Sequence, residues 1–96
     1  MANVNVKIKV NADAKKVYVV GSTKNLGEWD AKKAVEVVDG AVTKQFAEGT
    51  TVEFKVLAGK TWNKVEKGAY DEEIENRSFV ASKGLIVEAN VAKFNK

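Results

Sequence analysis

Trp29 and Trp62 are the two tryptophans of the chain, and each stands where the surrounding residues interrupt regular structure. Trp29 closes the run Gly21-Ser22-Thr23-Lys24-Asn25-Leu26-Gly27-Glu28-Trp29-Asp30, and Trp62 follows Gly59-Lys60-Thr61. An indole carries more apolar surface than any other side chain, so a loop position wastes burial unless something stacks on it. Two such loops in one short chain suggest a binding platform. The competing arrangement for each is an indole folded back to plug an end of the fold. For Leu26, aliphatic and set between Asn25 and Gly27, the plug is the better reading.

Covalent chemistry is poorly provided for. With no histidine and no cysteine, the chain has no Ser-His-Asp or Cys-His nucleophile system, no imidazole or thiolate metal site and no disulfide. Gly21 and Gly27 lack the partners of a nucleotide-binding fingerprint. The acidic group Asp71, Glu72, Glu73 and Glu75 has no alternating ligands around a turn glycine, which a calcium loop needs. Glu66 and Glu75 as a glycosidase pair would need a walled cleft, and 96 residues leave no mass for one. These acids read as a solvated loop, and the chain as no enzyme, with no cofactor and no metal.

Charge narrows the partners. The net charge of +3 rests on fifteen scattered lysines and Arg77. Nucleic-acid readers cluster positive charge and favour the arginine fork, so this pattern reads as a solubilising surface. No apolar run approaches the ~20 residues that cross a bilayer, so no membrane insertion is expected. Met1 is not followed by a basic segment and an apolar stretch, so no signal peptide is expected in this stretch.

The elements that must hold the tryptophans are strands. Val4 to Val10 alternates apolar and polar without a fault, and Val17 to Val20 is a short apolar run stopped by Gly21. Ala34 to Val38 ends at Asp39-Gly40, a hairpin-turn signal, with Val42 to Phe46 as the return strand. Thr51 to Leu57 alternates again: Val52, Phe54 and Val56 share the core face, which turns Glu53 and Lys55 outward. Trp62 to Val65 could form a short strand, Glu66 to Asn76 an acidic loop with at most one helical turn over Asp71 to Ile74. Arg77 to Val80 and Leu85 to Val91 complete the strands, and Asn90 to Lys96 reads as a fraying end. Tyr18 is expected to pack in the core or on a sheet face, and Tyr70 to sit exposed on the acidic loop, where it could contact a ligand. The fold class is all-β: a single-domain antiparallel β-sandwich of seven to eight strands, immunoglobulin-like.

Val17-Tyr18-Val19-Val20-Gly21-Ser22, followed by Leu26-Gly27-Glu28-Trp29-Asp30 and Ala34-Val35, resembles the opening of family-20 carbohydrate-binding modules, the starch-binding domains. Thr50 to Lys55 resembles the family's middle strand, and Thr61-Trp62 with Glu75-Asn76-Arg77 and Phe79 its later segment. The resemblance covers about residues 3 to 92 with its motifs in order. It implies non-catalytic binding of an α-1,4-glucan (starch, glycogen or maltooligosaccharides). Trp29 and Trp62 would stack on the sugars, with Lys55 and Asn76 hydrogen-bonding to hydroxyls. Arg77 would tie the loop down.

The chain departs from the family pattern twice. The family's carboxylate after the second tryptophan is Asn63 here, leaving Glu66 or Glu75 as substitutes in a longer loop. The family's second site uses aromatics where this chain reads Asn11-Ala12-Asp13-Ala14 and Val38-Asp39-Gly40-Ala41, so one site is expected. The resemblance further implies a module excised from a larger extracellular or cell-surface protein, secreted beside a tethered catalytic domain. The alternative is an immunoglobulin-like structural or protein-interaction domain without sugar binding, its tryptophans buried.

Overall fold

The computed structural model describes residues 2 to 95. Its strands are β1 (Asn3–Asn11), β2 (Tyr18–Gly21), β3 (Val35–Glu36), β4 (Ala41–Ala47), β5 (Thr51–Leu57), β6 (Glu66–Lys67), β7 (Arg77–Val80), β8 (Ile86–Asn90) and β9 (Lys93–Phe94). Short 3-10 turns cover Lys24–Leu26, Ala31–Lys33 and Trp62–Lys64. One sheet has the order β4-β1-β8 and the facing sheet the order β3-β2-β5-β7, with β6 and β9 as a separate pair.

Period-2 alternation explains the sandwich. Val4, Val6, Ile8 and Val10 of β1 all point inward, opposite Val19 of β2 and Val52, Phe54 and Val56 of β5. Each such side chain removed from water contributes roughly 1.5–3 kcal/mol. Phe46 on one sheet meets Phe79 on the other edge-to-face at 5.5 Å, and Phe54 meets Phe79 at 5.9 Å. The first of these contacts joins the two layers, and the second packs neighbouring strands of one sheet.

Four features depart from the sequence expectation. First, β8 lies parallel to β1, with Ile8 opposite Val87, in an otherwise antiparallel fold. Side-chain alternation is the same in both directions, and a chain that crosses from one sheet to the other can return either way. Second, Asp39 (φ 53°) and Gly40 (φ 78°) make the expected tight turn, but only Val38 and Ala41 pair across it. Beyond that pair the strands part, because β4 is held by β1 over seven register pairs from Lys9–Ala41 to Asn3–Ala47. Third, Trp62–Lys64 is a 3-10 turn and not a strand, while the expected acidic loop begins with strand β6 and contains no helical turn. Fourth, the expected frayed end carries β9, which pairs Phe94 with Glu66 and Lys93 with Lys67. Lys96 lies outside the described residues. With β6 and β9 included, the described strands number nine.

The outer face of the four-stranded sheet is partly dry. Val20 and Leu57 point away from the main core and form a second apolar cluster with Ala31 and Ala34. Tyr18, Trp29 and Val65 pack against that cluster. The segment between β2 and β3 therefore folds over the sheet face and plugs no end with its indole.

Candidate functional site

The Trp29 loop is anchored at both ends. Ser22 donates its backbone N–H to the Glu53 carbonyl at 2.8 Å, and the Glu53 N–H returns a bond to Ser22 Oγ at 3.0 Å. Leu26, fully buried, drops into the main core as the plug expected of it. Gly21 permits this close approach: a Cβ there would lie 2.6 Å from the Glu53 carbonyl oxygen and 2.7 Å from Leu26 Cδ1. Gly27, Glu28 and Trp29 then take positive φ in succession, at 86°, 50° and 64°. Glycine accepts this freely, but for glutamate and tryptophan it costs roughly 1–3 kcal/mol each. The Trp29 N–H to Gly21 carbonyl bond at 2.9 Å holds the strained turn, and Asp30 Oδ1 caps the next 3-10 turn through the Lys32 N–H.

Trp62 is presented differently. Thr61 Oγ1 accepts from the Asn63 N–H at 3.3 Å, and the Val65 N–H closes the turn on the Trp62 carbonyl at 3.2 Å. One flank is joined to β5 by the Leu57–Val65 bridge. The other is joined to the end of the chain: Asn95 donates its backbone N–H to the Val65 carbonyl and its side-chain amide to the Asn63 carbonyl, both at 2.8 Å.

The two loops bring the indoles together. Their ring centroids are 6.3 Å apart and their planes meet at 34°. Trp29 is half-buried, whereas Trp62 keeps 42% of its surface exposed. A shallow depression of about 460 Å³ lies over them, lined also by Asp30, Lys32, Lys60 and Thr61. Lys60 extends over the Tyr18 ring, Nζ to centroid 5.8 Å.

The polar candidates separate into two groups. Lys55 projects from the outer face of β5 and donates from Nζ to the Ile74 carbonyl at 2.8 Å. An ammonium has three donors, so two remain for other acceptors. Asn76 and Glu75 are exposed immediately before β7. Arg77 pairs with Phe54, which places Asn76 one register step on, beside Lys55. Glu66, in contrast, is 1% exposed and has no surface to offer a ligand. Its Oε2 accepts from the Val56 N–H at 2.9 Å, and both oxygens accept from Arg77 at 2.7 to 3.1 Å. Glu66 is thereby withdrawn from the candidate ligands, because a carboxylate satisfying a strand-edge N–H and a guanidinium is a structural group. Arg77 also donates to the Asn90 carbonyl, tying β7 to the far end of β8.

The sequence reading missed Lys32, Lys60 and Thr61 as lining residues and Asn95 as a brace. Thr61 immediately before an exposed tryptophan could have been read as a cap. Asn95 carries no signal, because its partner lies 32 positions away.

The starch binding domain family model matches residues 2 to 90. The chain belongs to the starch-binding domain family. This starch-binding domain is therefore a carbohydrate-binding β-sandwich of a family of non-catalytic modules. It superposes on part of a glycoside hydrolase family 15 glucoamylase from Hypocrea jecorina with TM-score 0.77 and 17% identity, covering 95% of this chain and 17% of that one. The gamma-CGTase of alkalophilic Bacillus clarkii gives TM-score 0.68 and 19% identity, covering 95% of this chain and 15% of that one. The family 20 module of the maltotetraose-forming amylase from Pseudomonas saccharophila STB07 gives TM-score 0.53 and 22% identity, covering 93% of this chain and 99% of that one. No curated protein sequence matches the chain. At these identities the likeness is one of fold, and the domain spans only 17% and 15% of the two enzymes.

Proposed function

We propose that this starch-binding domain binds α-1,4-glucans, without catalysis, at a single site built on Trp29 and Trp62. The observation that carries the reading is the meeting of the indoles at 6.3 Å and 34°. A pyranose has an apolar C–H face edged by hydroxyls, which an indole can cover while nearby polar groups satisfy the edge. Coplanar rings would suit a flat β-linked chain; a tilted pair suits consecutive residues of a curved α-1,4-glucan. Lys55, Asn76 and Glu75 supply the hydroxyl partners, with Lys60, Thr61 and Lys32 at the rim.

An open site with few contacts gives weak binding, Kd on the order of micromolar to millimolar, about −8 to −4 kcal/mol. Retention on a polymer would come from many equivalent sites or from tethering to a catalytic domain in a larger secreted or cell-surface protein. The enzymes whose chains contain a similar fold support that setting. The alternative, an immunoglobulin-like interaction domain without sugar binding, expects both tryptophans buried, and Trp62 at 42% exposure speaks against it.

The test is a fluorescence titration with maltoheptaose or β-cyclodextrin. Saturable change in the wild type, lost at millimolar sugar in Trp62→Ala, is the expected result; no response from the wild type at millimolar sugar ends the proposal.

A further inference from the structure

The loop between β6 and β7, residues 68 to 75, has no part above beyond Glu75 and the Ile74 carbonyl. Its position follows from strand register. The isolated antiparallel Leu57–Val65 bridge ties the residue before β6 to β5, and the Phe54–Arg77 pair, continued by one step, sets Asn76 opposite Lys55. β7 is the strand beside β5, β6 pairs with β9 apart from that sheet, and the loop between them rejoins β5 next to Lys55. The Lys55 side chain, on the outer face, grips the loop at the Ile74 carbonyl. Leu57, two residues on and on the same face, packs in the cluster that supports Trp29. That places the loop's anchor roughly 7 Å along the strand from the platform's support.

The loop is also well built. Gly68 donates to the Glu72 carbonyl at 2.8 Å, Asp71 to the Gly68 carbonyl at 3.0 Å, and the Tyr70 N–H to Glu72 Oε1 at 2.9 Å. The Glu72 carboxylate curls over Gly68 so closely that a Cβ there would collide with it. Asp71 takes φ 64°, and its carboxylate pairs with Lys93 at 3.1 Å. The product of this turn is the Tyr70 ring, held 90% exposed. An exposed aromatic on an ordered turn offers a ring face for stacking at little further ordering cost.

We infer that Tyr70 is a third stacking position, engaging a glucose residue beyond those covered by Trp29 and Trp62 and so setting a preference for longer α-1,4-glucans. The inference rests on the proposed glucan site and adds to it a determinant of chain length.

The experiment titrates wild type, Tyr70→Ala and Tyr70→Phe with maltotriose and with maltoheptaose, reading tryptophan fluorescence. One stacked aromatic corresponds to about a 3- to 10-fold change in affinity. Tyr70→Ala should weaken maltoheptaose by that factor and leave maltotriose unchanged, with Tyr70→Phe close to wild type. Equal affinity of wild type and Tyr70→Ala for both sugars overturns the inference while leaving the two-tryptophan site standing. Equal weakening for both sugars also overturns it, since an added subsite acts only on the longer chain. Failure of the wild type to bind either sugar removes the glucan site itself.

Discussion

At the scale of single residues, Trp29 and Trp62 divide the work of one platform unequally. Trp29 is packed from below by Val20, Leu57, Ala31 and Ala34, whereas Trp62 stands 42% exposed on a short turn. Trp62→Ala should therefore cost less than about 1 kcal/mol of stability while abolishing sugar binding. Trp29→Ala should abolish binding and lower stability as well, and urea denaturation of the two variants separates these outcomes. Glu66 and Arg77 answer to a different logic. Removing the guanidinium leaves a carboxylate that is 1% exposed without its counter-charge, a loss of roughly 3–5 kcal/mol. Arg77→Met should thus be much more destabilising than Glu66→Gln, whose neutral amide can still accept from the Val56 N–H. Denaturant midpoints that rank the two variants in the opposite order would refute this account. In sequence, Glu66 and Glu75 were equivalent acids. Only three-dimensional packing distinguishes one beneath the strand edge from one in solvent, because burial depends on what the fold lays over a residue.

At the scale of elements, each tryptophan depends on an anchor some distance from its ring. Gly21→Ala would force a methyl group against the Glu53 carbonyl and Leu26, at a cost of roughly 1–3 kcal/mol. Because Gly21 also accepts the Trp29 N–H, this variant should weaken glucan binding along with stability. The Trp62 turn depends on β9 and Asn95. Asn95→Ala removes one of two bonds to the turn and should change the coupled far-ultraviolet circular dichroism signal of the indole pair, with a fall in sugar affinity of about 3- to 10-fold. An unchanged signal and affinity would show that β6 and β5 alone hold the turn. The strands themselves were legible from alternation: β1 and β5 bury the apolar residues that alternate along them. The direction of β8, the early parting of β3 from β4, and β9 were not, since each depends on pairing between residues far apart in the chain.

For the whole molecule the question is how many sites it carries. The stretches around Asn11–Ala14 and Val38–Ala41 do come together, bordering a depression lined by Val10, Ala12, Ala14, Lys15, Val17, Val37, Asp39 and Gly40, with no aromatic among them. Calorimetric titration with maltoheptaose should accordingly give one site per chain, and the domain should not cross-link soluble amylose. A stoichiometry of two would place a second platform elsewhere on the surface. The sequence by itself determined the all-β class, the core faces of the long strands and the two loops that present indoles, because alternation and turn chemistry act over a few neighbouring residues. It also excluded imidazole and thiolate chemistry by composition alone. Only the tertiary structure decided that Trp29 and Trp62 meet, that Glu66 is buried beneath Arg77, and that Lys55 holds the Tyr70 loop at the Ile74 carbonyl. Those facts depend on register and layer packing between distant segments, which no local pattern encodes.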